Sequence, residues 1–390
     1  MKKEKGISLI LVVIIVVLAV LIASAIIFRI LFFQDKNSKD NNTEQMNTIV
    51  QEEEKLDYTS LDEGIATETL PKIELDTIAE RNSTIDGRTP SFYNPVIPQG
   101  FKAITSKQDA TIDEEAIWGN QNSYLSGLVI EDENGNQFVW VPVENMDIFK
   151  TTDWSKNAAQ ETLDDTYIEP EEDEEEEYYQ MYYKVKKYGG FYIGRFEVGD
   201  AIASGERATV NNSDSIVIKK YVNAYNYVPY TSTILDSREI TGANELAEKF
   251  GKTNKYNTVV TSVVYGVQWD SVLRFIASDT NNVNNSTRWG NYVSSEINYI
   301  NPERNPAIKR TGEIRLIETG SSEDTKAKNI YDLAGNLYEW TKETTTEPGT
   351  RVVRGGCYVA SIAQLAASRY TYGEGTANNA IGFRISFYVK

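Results

Sequence analysis

Residues 329–343 read NIYDLAGNLYEWTKE, a run in which Ile330, Tyr331, Leu333, Leu337, Tyr338 and Trp340 surround Asp332, Gly335 and Asn336. The spacing keeps neither a helical nor a strand period for long, so it reads as a tight, aromatic loop. Similar stretches flank it: STRWGNY at 286–292, RVVRGGCYVA at 351–360 and AIGFRISFYV at 380–389. The last alternates well enough to predict a terminal strand. Few helices, short strands and long irregular connections predict an α+β domain whose loops form much of its surface.

Working outward, GLVIEDENGNQFVWVPV at 127–143 holds two alternating apolar runs joined by Asn134-Gly135, the signature of a hairpin with a type I′ turn. GGFYIGRFEVG at 189–199 reads as a further strand bounded by glycines. ANELAEKF at 243–250 places Leu246, Ala247 and Phe250 on one helical face, with Gly251 as the stop. YGVQWDSVLRFIAS at 265–278 repeats the pattern through Val272, Leu273, Phe275 and Ile276. These two helices are the main helical content expected.

Composition narrows the function. The chain of 390 residues has 39 Lys+Arg against 57 Asp+Glu, a formal charge of -18, which repels a phosphate backbone, so no nucleic acid is expected as a partner. It contains no His, which removes the usual neutral-pH base and every Ser/His or Cys/His arrangement. Cys357 is the single cysteine, so the chain forms no internal disulfide and no cysteine-based zinc site. Its bland reading is a small buried apolar side chain.

The N-terminus reads as an anchor. Basic MKKEKG precedes the apolar run at 7–28, long enough at about 1.5 Å per residue to cross a hydrocarbon core of roughly 30 Å. Lys2, Lys3 and Lys5 before the run, with Asp35, Asp40 and Glu44 after it, place the N-terminus inside and the bulk outside. Residues 1–33 are thus expected to be a single-pass signal anchor in the cell membrane. Two other readings stay open: cleavage at Ala23-Ser24-Ala25, and prepilin-like processing after Gly6, although Leu11 stands where pilin-type helices usually carry Glu. Residues 34–94 are polar and poor in aromatics, a disordered stalk. The folded domain is expected over 95–390, with NPVIPQGF at 94–101 at its start and a solvated acidic insertion at 161–179.

The order of these pieces resembles the formylglycine-generating enzyme, or sulfatase-modifying factor, family. The matching elements are the GGFYIGRFE strand at 189–197, a W-D-x-V helix at 269–272, the N-I-x-D-x-x-G-N-x-x-E-W loop at 329–340, R-G-G-C-Y at 354–358 and G-F-R at 382–384. The resemblance covers about residues 95–390 and implies a C-type-lectin-like fold. That fold is shared by bacterial and phage binding proteins, including hypervariable ones diversified by retroelements, whose C-terminal segment forms the binding face. Fold alone does not choose between oxidase and binder.

The resemblance also implies site residues. Family oxidases hold copper through two cysteines, and anchoring on Arg369 and Gly382-Phe383-Arg384 puts Ser361 and Ala366 at those places. A hydroxyl and a methyl do not replace thiolates for copper(I), so neither copper nor oxidase activity is expected. The loop at 329–340 resembles one that wraps a structural calcium ion, which maps to Asp332, Gly335, Leu337 and Glu339; oxygen ligands at about 2.3–2.6 Å suit that ion. The residues themselves leave open that Asp332 closes an Asx-turn while Glu339 pairs with an arginine. Trp340, Arg354, Gly355, Gly356 and Arg384 read as structural.

The expected function is a non-catalytic cell-surface ligand-binding or adhesion module on a membrane stalk, with an extracellular protein or glycan as ligand. Arg369, Tyr370 and Tyr372 within SIAQLAASRYTYGEGTANN at 361–379, together with Tyr358, are the candidate ligand contacts, rigid aromatics among small and polar residues. The alternatives are a copper oxidase of the formylglycine-generating type and a minor pilin-like subunit.

Overall fold

A computed structural model describes residues 90–390 except 121, 153, 155–166, 169–174, 201–215, 236, 279 and 361–364. The expected span at 7–28, its processing sites, nearly all of the 34–94 stalk, Ser361 and most of the acidic insertion lie outside the described residues. Among those residues no helix is long and apolar enough to cross a membrane.

The domain has mixed α and β structure. Strands β1 (Phe101–Ile104), β2 (Val129–Asp132), β3 (Gln137–Pro142), β4 (Tyr167–Ile168), β5 (Gly190–Gly194), β6 (Val259–Val263), β7 (Tyr338–Thr345), β8 (Thr350–Arg354), β9 (Arg369–Gly373), β10 (Ile381–Phe383) and β11 (Ile385–Val389) build two sheets. The first is antiparallel throughout, in the order β1-β2-β3-β5-β11-β6. The second runs β9-β8-β7-β10, with β4 also on β7 and a parallel β7–β10 pair. Shorter strand pairs decorate the loops.

Aromatic burial holds the first sheet. Tyr192 stacks on Phe387 at 4.9 Å, and Phe138 meets Phe387 edge-on at 4.7 Å. Such pairs add to the area they remove from water. Helices α1 (Glu175–Tyr188), α2 (Ala243–Thr253) and α3 (Gly266–Ile276) pack around the sheets. Both expected helices are present, with Leu246, Ala247, Phe250, Val272, Leu273 and Ile276 buried as their periodicity requires. The 14-residue α1 is a third helix that the acidic run at 161–179 concealed; Met181 and Val185 form its buried stripe.

Three local expectations need correction. The β2–β3 hairpin forms, but its turn is not type I′: Gly135 takes φ +82° while Asn134 does not share the positive φ that type requires. Asp132 decides this, because its Oδ1 accepts the backbone N–H groups of Asn134 (2.9 Å) and Asn136 (2.6 Å), an Asx-turn that closes a longer loop. Gly251 does not stop α2, which continues to Thr253. It is there because a Cβ would lie 2.6 Å from Thr261 Oγ1, so glycine lets the helix lie against β6. The terminal segment is two strands, since β10 and β11 join different sheets and every residue of both is buried. Arg384 sits at the break, its guanidinium bridging the Gly194 and Tyr331 carbonyls at 3.0 and 2.9 Å.

Candidate ligand-binding site

The second sheet divides its side chains by strand alternation. Register aligns Trp340, Val353 and Tyr370, and then Arg351 with Tyr372, while Glu339, Arg354 and Arg369 lie on the other face. One face is therefore aromatic apart from Arg351, and the other charged.

On the charged face, Arg354 and Arg369 alternate with two carboxylates. Asp270 of α3 accepts from Arg354 Nη2 through Oδ1 and from Arg369 Nη2 through Oδ2, both at 2.6 Å. Glu343 of β7 accepts from Arg354 Nη1 at 3.1 Å and from Arg369 Nε at 2.6 Å. The four groups close a buried, charge-balanced ring, and the Thr152 N–H and Trp154 indole also donate to Asp270. The two guanidiniums hold the Asp270 carboxyl below its usual range against the desolvation that raises it. Arg369 is therefore 7% exposed at its side chain, and the ring fixes the start of β9.

The far end of β9 is fixed as well. Arg351 Nε donates to Glu374 Oε1 at 2.8 Å, and the Glu374 carbonyl accepts the Tyr230 N–H at 2.8 Å. Between these two anchors stand Tyr370 and Tyr372, both half-buried. Tyr338 lies under them, 5.3 Å from Tyr370 and 6.1 Å from Tyr372. Tyr372 also meets buried Trp340 at 6.4 Å. Tyr358 comes to the same neighbourhood: its hydroxyl accepts from Asn379 Nδ2 at 2.9 Å, and the adjoining Ala380 carbonyl accepts the Tyr338 N–H at 2.8 Å. The structure thus gathers Tyr370 and Tyr372 over Tyr338 and Trp340, with buried Tyr358 linked to them through Asn379, while Arg369 supports β9 from the opposite face.

Cys357 lies beside this array, 2% exposed. Burial raises its thiol above the ordinary range, opposed in part by a hydrogen bond from Tyr338. A buried, protonated thiol is neither an activated nucleophile nor a ready metal ligand. Ala366, at the second copper-ligand place, is fully buried; its carbonyl accepts from the Trp269 indole at 3.1 Å and its N–H donates to Ser286 Oγ at 3.1 Å. These donors do not fit copper(I).

The 329–340 loop is held by side-chain caps. Asp332 (φ +60°) accepts from Gly320 N and Thr325 Oγ1, both at 2.7 Å. Gly335 (φ +74°) runs so close to Asn291 that a Cβ would stand 2.3 Å from its carbonyl oxygen. Glu339 is gripped by Arg384, with Nη2 at 2.6 Å and Nε at 2.9 Å. The Leu337 N–H donates to Glu197 at 3.0 Å, and Asn336 Nδ2 to the other oxygen of Glu197 at 2.6 Å. Glu197, Asp332 and Glu339 thus crowd around one arginine, and burial with the two like charges pushes the Glu197 carboxyl well above its ordinary range. A calcium ion on this loop has to compete with Arg384 for Glu339 and with Thr325 and Gly320 for Asp332. Among the described residues no group of three or more His, Cys, Asp or Glu is arranged to hold a metal.

The motifs that build both faces can be compared with known families. Residues 245–387 match the sulfatase-modifying factor enzyme 1-like domain. This bears out the resemblance read from the 329–340, 354–358 and 382–384 segments. No curated protein matches the chain. Among solved structures, variable protein 1 of Treponema denticola is similar over 51% of this chain and 84% of its own, at 13% identity and a TM-score of 0.31. The crystal structure of CarF is similar over 52% and 87%, at 12% identity and a TM-score of 0.32.

Composition points to Tyr370 and Tyr372, rigid aromatics among small and polar residues, but not to their supports. Asp270, Glu343, Arg351, Glu374 and Asn379 pass unnoticed because their partners are distant in sequence, as with Asp270 and Arg354. A ladder that pairs Arg354 and Arg369 each with two carboxylates becomes visible only once register is known.

Proposed function

We propose that this chain is a non-catalytic ligand-binding module of the formylglycine-generating-enzyme type, displayed outside the cell from its N-terminal anchor and binding through the β9 face. The observation that carries the reading is the donor set. Where the oxidases need paired thiolates, this chain offers the buried methyl of Ala366, and its single thiol is buried and protonated. What the sheet offers instead is preorganisation: β9 is pinned at both ends by ion pairs, so Tyr370 and Tyr372 are presented with little ordering left to lose on binding.

The test uses the full-length chain in detergent on an array of extracellular-matrix proteins and oligosaccharides. Wild type is expected to bind at least one probe, and Tyr370→Ala and Tyr372→Ala to weaken that binding at least about tenfold, as for rigid aromatic anchors. Equal binding by wild type and both variants would move the site elsewhere. Binding to no probe counts against the module itself.

A calcium ion at Asp332, Gly335, Leu337 and Glu339 is a separate proposal with a strict condition. Glu339 must release part of its contact with Arg384, and the ion must then raise the melting temperature of the chain. An unchanged melting temperature on adding calcium and then EDTA rejects it.

A further inference from the structure

We infer that the ligand of the β9 face is uncharged and rich in hydroxyls, a neutral oligosaccharide; this rests on the binding reading above and adds the ligand's chemistry. The first observation is a gap in charge. Between Gly355 and Phe383 only Arg369 and Glu374 are charged, in a chain that is 25% charged overall. Both are neutralised within the protein, Arg369 by Asp270 and Glu343, Glu374 by Arg351. The strands beneath repeat the pattern. Every charged side chain of β7 and β8 is ion-paired: Glu339 with Arg384, Lys342 with Glu177, Glu343 with Arg354 and Arg369, and Arg351 with Glu374.

A protein that recognises a phosphate, sulfate or carboxylate keeps a guanidinium or ammonium to meet it. Here each such group is already spent. With a formal charge of -18, the chain as a whole also repels acidic ligands.

What the face presents is phenol, hydroxyl and amide. Tyr370 and Tyr372 are half-buried, Asn379 is exposed, and Asn378 and Thr376 are half-buried. Phenol rings stack on the C–H faces of sugar rings, while amides and hydroxyls exchange hydrogen bonds with sugar hydroxyls in both directions. A protein partner makes a different demand, an apolar centre within roughly 800 Å² per side. Among the described residues from 355 to 383 the one large apolar side chain that is exposed is Val359, at 37%. Chemistry therefore favours the sugar over the protein.

The experiment compares full-length protein on neutral hexose and N-acetylhexosamine oligosaccharides with sialylated and sulfated ones, at about 50 and 500 mM salt. Neutral glycans should bind with less than about twofold change across that range, and Tyr370→Ala or Tyr372→Ala should weaken them at least about tenfold. Circular dichroism of each variant excludes unfolding as the cause, and Tyr372→Phe, which keeps the ring, should retain most of the binding. Selective binding of sialylated or sulfated glycans with steep salt dependence would overturn the inference. Tyrosine-dependent binding to proteins alone would overturn it while leaving the binding module intact; absence of any tyrosine-dependent binding would remove both.

Discussion

At the scale of single residues, the account turns on how buried charges are balanced. The ring of Asp270, Glu343, Arg354 and Arg369 satisfies every charge it buries, so removing one member strands its partners. Asp270→Ala is expected to lower the unfolding free energy by about 3–5 kcal/mol in urea titration, the usual cost of orphaning a buried partner. Glu197 shows the opposite case. Its carboxyl, facing Asp332, Glu339 and Arg384, has a folded-state pKa raised well above the ordinary 4.5. The folded state then binds the extra proton, so this contribution to stability is complete below about pH 4.5 and is lost as pH rises toward the folded value. Glu197→Gln should flatten that decline above about pH 4.5, by up to about 1.4 kcal/mol per pH unit. Asp109 works in the other direction: Arg195 and Thr111 hold it at about 2 against its desolvation, so its contribution is present above pH 3.8 and is lost as pH falls through about 2. An acid limb of the stability curve that persists in Asp109→Asn would contradict that assignment.

At the scale of elements, helix positions were legible because the stripes Leu246-Ala247-Phe250 and Val272-Leu273-Ile276 follow a 3.6 period. Boundaries were not, because they depend on contacts. Gly251 looks like a helix stop in sequence, yet it is a spacer against Thr261. Gly251→Ala, ordinarily stabilising by about 1 kcal/mol inside a helix, is therefore expected to lower the melting temperature here. In a double-mutant cycle its cost should shrink when Thr261→Ala removes the blocking atoms. The terminal alternation at 380–389 concealed a change of sheet at Arg384, since both strands are buried on both faces and lose the inside/outside signal. Helix α1 was hidden for a compositional reason: three successive glutamates, Glu175 to Glu177, open it and read as part of a solvated run.

At the scale of the whole molecule, the architecture is a scaffold of short strands and long loops, and the proposed function rests on which side chains stand on the β9 face. The tyrosines were legible as a paratope-like composition, whereas the ion pairs that present them became legible only through register. The anchor is a separate matter, and mass analysis of membrane-extracted protein addresses it: the intact chain is expected, whereas loss of residues 1–6 would favour the pilin-like alternative. The most direct test of the central claim, that the thiol-based metal chemistry is gone, is oxygen uptake by the purified full chain supplied with copper(I) and a cysteine-containing peptide. Uptake should equal that of copper and peptide alone; protein-dependent turnover that disappears in Cys357→Ser would contradict the account.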